Sequence, residues 1–198
     1  MTRRRLVVAA VAAGLALLVL AGCSNDPLAQ DYLKGGTKNY ISGSGLVEVA
    51  KANRAAPITF TGTTDTGTTL SRSDFPGQVV VVNFWYSVCA PCRSEAPDLE
   101  ALASKYRGKG AAFVGVNIYD TADTSLAFAR TFGISYPSLL DGQTGTVRLA
   151  FAGSISPNAV PTTFVLDKKG RVAARILGEL QDRSILDTLI SDLVKESD

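Results

Sequence analysis

Two cysteines, Cys89 and Cys92, sit close together in the stretch FWYSVCAPCRSEAP, residues 84–97. The chain holds three cysteines and no histidine. The pair has three chemical readings: a couple for thiol-disulfide exchange, half of a metal site, or a structural staple. Exchange needs one accessible thiolate and a second thiol that can reach it. A two-residue spacer at a helix N-terminus supplies both, because unpaired N–H groups and the helix dipole stabilise S⁻. A tetrahedral zinc site would need two further cysteine or histidine ligands. A staple closing so short a loop adds little stability. Exchange is therefore the favoured reading, and it calls for no metal and no cofactor. Glu95 lies three residues after Cys92, on the same helical face. A carboxylate there could take a proton from the second thiol or hold up the pKa of the first; the plain alternative is a solvated helix glutamate.

These residues need a strand to deliver them and a helix to hold them. QVVVVNFWYS, residues 78–87, is a near-continuous apolar run of β-branched and aromatic residues, as in a strand buried on both faces. A helix is expected over 90–106, with Leu99, Leu102 and Ala103 inward, Pro91 in its first turn and Pro97 as a kink. AAFVGVNIYD, 111–120, reads as the next buried strand, and 123–132 as an amphipathic helix ending at Gly133. A short extended piece, a turn at Asp141-Gly142 and a short helix follow. TTFVLDKKGRVAARILG reads as two strands about a turn at 168–170, and DRSILDTLISDLVKE as a last amphipathic helix. Upstream, residues 57–75 alternate and suggest a hairpin with Gly62 and Gly67 as turn points. The pattern predicts an α/β domain with a mixed sheet.

The N-terminus stands apart. Arg3, Arg4 and Arg5 precede an uncharged run from Leu6 to Gly22, the pattern of a secretory signal. The run ends in LAGC, residues 20–23, which resembles the lipobox of bacterial lipoproteins. That implies cleavage before Cys23 and a lipid on its thiol, so the rest of the chain lies outside the cytoplasmic membrane. A retained anchor is the alternative, though seventeen residues are at the short end for spanning. The full chain carries 20 Lys+Arg against 18 Asp+Glu, a net charge of +2. Without the three leader arginines the balance is 17 against 18, nearly neutral. Positive charge is scattered after residue 22, so a nucleic-acid surface is set aside. The expected organisation is a signal peptide at 1–22, a lipidated flexible tether at 23–56 and one folded domain at 57–198.

With these pieces in order, residues 57–198 resemble the thioredoxin superfamily, and within it the TlpA/ResA group of membrane-tethered thiol-disulfide oxidoreductases. The resemblance rests on SDFPGQVVVVNFW, CAPCRSEAP, GVNIYD and VPTTFVLDKKGRV. It implies a thioredoxin-like fold: a central mixed sheet flanked by helices, an N-terminal β-hairpin, and a helix and strand inserted before a cis proline. It further implies that Cys89 is the exposed attacking thiol, Cys92 the resolving thiol and Pro161 the cis proline. Val160 would then offer its backbone to a substrate peptide by strand addition. Glu95 falls where the group carries an acidic residue, and Asn83 where it usually has asparagine. Trp85 is expected partly buried beside the site, touching substrate. Val88 departs from the pattern, since tryptophan commonly precedes the first cysteine.

The implied function is a lipid-anchored disulfide reductase for extracytoplasmic proteins, such as apocytochrome c thiols, fed by a membrane thiol donor and acting as a monomer. The same pair could run as an oxidase or isomerase, since direction depends on potential and partner. A non-catalytic binding or metal-delivery module is the reading from another class. A Sco-type copper-delivery protein would use CxxxC and a histidine, and a peroxiredoxin would want threonine where Tyr86 stands.

Overall fold

The structure, a computed structural model, describes residues 45–153 and 159–197. The expected signal peptide and Cys23, the expected site of lipidation, lie outside the described residues.

Strand period places the core. The seven residues of Val79–Trp85 are all buried, so both faces of this strand meet other layers. Val79 and Val81 face one apolar cluster with Leu99, Leu102, Leu186 and Ile190. Val80, Val82 and Phe84 face the other, with Phe151 and Phe164. The two-residue period therefore turns Asn83 and Trp85 toward the same side as Val79 and Val81.

The strands run in chain order as β1 (Leu46–Glu48), β2 (Thr61–Thr63), β3 (Thr69–Ser71), β4 (Val79–Trp85), β5 (Ala111–Asn117), β6 (Ser138–Leu140), β7 (Thr162–Leu166) and β8 (Val172–Leu177). The helices are α1 (Ala90–Tyr106), α2 (Ala122–Phe132), α3 (Thr146–Phe151) and α4 (Arg183–Lys195). Six strands form one sheet in the order β1-β8-β7-β4-β5-β6. β4, β5 and β6 are parallel neighbours; β7 and β8 join antiparallel on the other side of β4. α1 and α4 cover one face, and α3 packs on the other. This is the expected mixed-sheet, thioredoxin-like α/β fold, with β6 and α3 inserted before the proline. β2 and β3 form the separate hairpin. Gly62 lies within β2 rather than at a turn, and Pro97 sits inside α1 without ending it.

The tether expectation is corrected for residues 45–56. Leu46–Glu48 is an edge strand paired antiparallel with β8. Arg54 follows it and donates to Asp167 at 3.0 Å and to both Glu196 oxygens at 2.6 and 2.8 Å. Burial would raise the Asp167 carboxyl, but the Arg171 N–H, the Arg171 guanidinium and Arg54 hold it below the usual range. Polar composition hid this segment, because a three-residue edge strand has almost no period to read.

Candidate active site

Cys89 is the N-cap of α1 and is disulfide-bonded to Cys92 in its first turn. The Cys89 sulfur accepts the Cys92 N–H at 3.2 Å. No acidic residue lies in the first turn of the helix. The Arg93 guanidinium reaches the Ser87 carbonyl at 3.4 Å and lies over the Phe132 ring. Helix N–H groups and a nearby cation are the surroundings that favour a thiolate once the disulfide is reduced. In this oxidised form Cys89 is only 4 % exposed, so the expected exposed sulfur is nearly covered. The two sulfurs belong to a small apolar cluster with Trp85, Ala96 and Phe128.

Trp85 differs from its expected role. It is buried, packed at a tilt of 39° on Phe128 with centroids 4.2 Å apart, and its Nε1–H donates to Ser138 Oγ at 3.3 Å. Gly115 makes room for that bond: a Cβ there would stand 2.3 Å from Ser138 Oγ and 2.9 Å from Trp85 Nε1. Trp85 packs against the disulfide within the fold and leaves almost no surface for a substrate to touch. Period two along β4 carries this information, since Trp85 shares its face with buried Val81.

Glu95 is 2 % exposed and faces inward from α1. Its Oε1 accepts from Asn83 Nδ2 and its Oε2 from the Leu180 N–H, both at 2.8 Å. Asn83 Nδ2 also donates to Thr163 Oγ1 at 3.0 Å, two residues after Pro161. Among the described residues neither Glu95 oxygen is bonded to a cation. Burial pushes its pKa up to about 7, against the two hydrogen bonds, which favour the charged form. Asn83 and Cys92 line one narrow cleft together with Tyr136 and Ser138. Burial, and then the nearby carboxylates Glu95 and Glu100, push the Tyr136 phenol above its usual range. Nothing about a lone tyrosine before a proline marks Tyr136 in the sequence.

The Val160-Pro161 peptide is cis. Val160 packs against the cysteine cluster, and the Pro161 carbonyl accepts the Gly178 N–H at 2.9 Å. The fold thus gathers Cys89, Cys92, Glu95, Asn83, Val160 and Pro161 into one neighbourhood, although about seventy residues separate the cysteines from the proline.

A disulfide capping a helix behind a buried parallel strand, in a mixed sheet of this order, defines a thiol-disulfide oxidoreductase of thioredoxin-like fold. The chain belongs to the Redoxin family, whose model matches residues 51–190. It is 28 % identical over 163 residues to thiol-disulfide oxidoreductase ResA of Bacillus cereus, covering 82 % of this chain and 84 % of that protein. Among solved structures it resembles a secreted thiol-disulfide isomerase from Corynebacterium glutamicum, with TM-score 0.69 and 34 % identity over 82 % of this chain and all of the other. A DsbF homologue from Corynebacterium diphtheriae superposes with TM-score 0.66 and 31 % identity, covering 79 % of this chain and 99 % of that one.

Proposed function

We propose that the Cys89/Cys92 pair acts as a disulfide reductase on proteins outside the cytoplasmic membrane. The Cys89 thiolate attacks one sulfur of a partner disulfide. A mixed disulfide forms, and the partner's other sulfur leaves as a thiolate that takes up a proton. Cys92 then gives its proton to Glu95 and attacks the Cys89 sulfur. The partner's second sulfur is expelled as a thiolate and is protonated in turn. Two electrons pass from the pair to the partner, and the Cys89–Cys92 disulfide is restored. A membrane thiol donor must then reduce it again. Val160 presents its backbone to the partner chain beside Pro161, and apocytochrome c thiols are the candidate substrates.

The observation that carries this reading is the buried Glu95 carboxyl. Its pKa of about 7 lets it accept and release a proton near neutral pH, one helical turn from Cys92. The similarity to ResA supports the same reaction class. Residues 1–22 serve as the signal peptide in this reading, and Cys23 carries the lipid. Among the described residues no helix is long and apolar enough to cross a membrane.

Oxidation or isomerisation at the same pair is the second reading. The secreted isomerase from Corynebacterium glutamicum is similar enough to favour it. Equilibration against glutathione and dithiothreitol separates the two. A potential near about −270 mV supports the reductase, and one near about −120 mV the oxidase. Cys89→Ala abolishes insulin reduction with dithiothreitol; retained activity would exclude the mechanism. Loss of labelled fatty acid in Cys23→Ala tests the anchor.

A further inference from the structure

Three large apolar side chains stand exposed among the described residues: Val88 at 78 %, Tyr119 at 80 % and Leu149 at 75 %. Two of the three belong to the rim of the disulfide. Val88 immediately precedes Cys89. The Tyr119 ring lies 6.1 Å, centroid to centroid, from that of Tyr86, whose carbonyl accepts the Cys89 N–H at 3.2 Å.

One turn holds both. Buried Asn117 accepts the Tyr119 and Asp120 N–H groups on its side-chain oxygen, at 3.0 and 2.7 Å. Its amide nitrogen donates to Asp120 Oδ2 at 2.8 Å. The Asp120 carboxylate in turn receives the Ser87 N–H at 2.6 Å and the Ser87 hydroxyl at 2.8 Å. Ser87 is the residue before Val88. Behind Tyr119, a Cβ at Gly142 would lie 3.3 Å from the Tyr119 backbone N, Cα and C, so a side chain there would push that turn back by a few tenths of an ångström. The backbones under both side chains are therefore fixed while the side chains themselves meet water. Valine and tyrosine have few rotatable bonds, so on a fixed backbone they lose little further freedom when a partner binds. Rigid aromatics of this kind are the usual anchors of recognition.

Resting on the exchange reading above, we propose that Asn117 and Asp120 are positioning residues that hold Tyr119 and Val88 as an apolar rim, and that this rim selects partner polypeptides carrying a bulky apolar side chain beside the reacting cysteine. A partner sulfur that reaches Cys89 must pass alongside Val88. The side chain next to that sulfur then falls on Val88 or Tyr119, where apolar contact removes water from both surfaces. Asp120 acts through Ser87, on the orientation of the residues before the nucleophile, and not on the sulfur itself.

The test uses reduced full-length protein and two bridged peptide disulfides that differ at one position, phenylalanine or serine beside the cysteine. The wild type favours the phenylalanine peptide by roughly tenfold in kcat/KM, mainly through KM. Tyr119→Ser and Val88→Ser each bring the ratio toward one. Asp120→Ala does the same, and Asp120→Asn restores part of the preference, since its amide oxygen still accepts one Ser87 bond. Leu149→Ser, exposed on α3, leaves ratio and rates unchanged. An unaltered ratio in both Tyr119→Ser and Val88→Ser overturns the proposal, as does an equal loss in Leu149→Ser. Equal use of both peptides by the wild type overturns the rim while leaving exchange intact; no exchange with either sinks both readings.

Discussion

Glu95 and Asp167 are both buried carboxylates, yet they titrate in opposite directions. Asp167 sits among guanidinium groups, 3.0 Å from Arg54 and 2.8 Å from Arg171, and takes two further backbone N–H bonds on Oδ1. Glu95 has two neutral donors and, among the described residues, no cation bonded to it. Burial penalises the charge at both sites, and only at Asp167 do the partners outweigh it. The first arrangement locks the N-terminal strand, the β7–β8 turn and the end of α4 together. The second leaves a group poised to exchange a proton. Position in the chain does not decide which a carboxylate becomes; the neighbouring cations do.

The largest effect comes from breaking the locked site. Asp167→Ala leaves Arg54 and Arg171 without their shared buried partner and removes the acceptor of two turn N–H groups. Urea unfolding of the oxidised protein is expected to show a loss of about 3–5 kcal/mol. Exchange by the molecules that remain folded stays near wild type. If Asp167→Ala unfolds as the wild type does, Arg54 and Arg171 find water or Glu196 as good a partner, and the contrast dissolves.

The second effect has the opposite sign. Glu95 binds its proton more tightly folded, at about 7, than unfolded, near the ordinary 4.5. Between these values the native state holds more protons than the unfolded chain, so stability falls as pH rises through the window. The whole drop is at most about 3 kcal/mol, at 1.36 kcal/mol per unit. Glu95→Gln flattens it, as read by urea titrations from pH 4 to 8. Asp167 contributes the reverse slope: its stability is present above the ordinary carboxylate range and is lost as pH falls through its depressed folded pKa. In turnover, Glu95→Gln removes an inflection near pH 7 and slows resolution of the mixed disulfide by roughly 10²-fold. An unchanged pH–rate profile would make Glu95 a packing residue.

The sequence carried the sheet and the cysteines more clearly than it carried this contrast. VVVVNFW and AAFVGVN announce buried strands because every residue must face a layer. CAPC announces a helix start because proline fits there. Glu95 stands out by its place three residues after Cys92, but its buried setting depends on Asn83 and on Leu180, 85 positions away. Arg54 and Asp167, 113 positions apart, gave no local signal at all. Asn117 and Asp120 fall within GVNIYD, yet the bond from Ser87 to Asp120 appears only when parallel β4 and β5 bring their C-terminal ends together. Local period reads layers; it does not read which polar groups meet across them.

Asn83 sharpens the comparison at smaller cost. Its amide donates to Glu95 Oε1, and donors to a carboxylate favour the charged form. Asn83→Ala is expected to raise the Glu95 pKa further, by about one unit, corresponding to about 1.5 kcal/mol for a bond to a charged group. The same pH–rate profile reads it as an inflection displaced to higher pH, without loss of the maximal rate. A downward displacement would mean that water entering the gap solvates Glu95 better than Asn83 does.

The smallest effect isolates burial from ion pairing itself. Arg183 and Asp98 bring the same two groups together across α4 and α1, at 3.3 Å. Their side chains are 53 % and 44 % exposed, where those of Arg54 and Asp167 are almost covered. Water screens the exposed pair and holding two long side chains costs entropy, so Arg183→Ala should change stability by less than about 0.5 kcal/mol. Salt at 1 M shortens the screening length to about 3 Å and should erase even that difference. Under the same salt, the loss in Asp167→Ala persists, because solvent ions do not reach its site. Equal salt sensitivity in the two variants would show that Arg54 and Asp167 interact through solvent, and that Asp167 owes its depressed pKa to net positive surroundings more than to the bonds drawn around it.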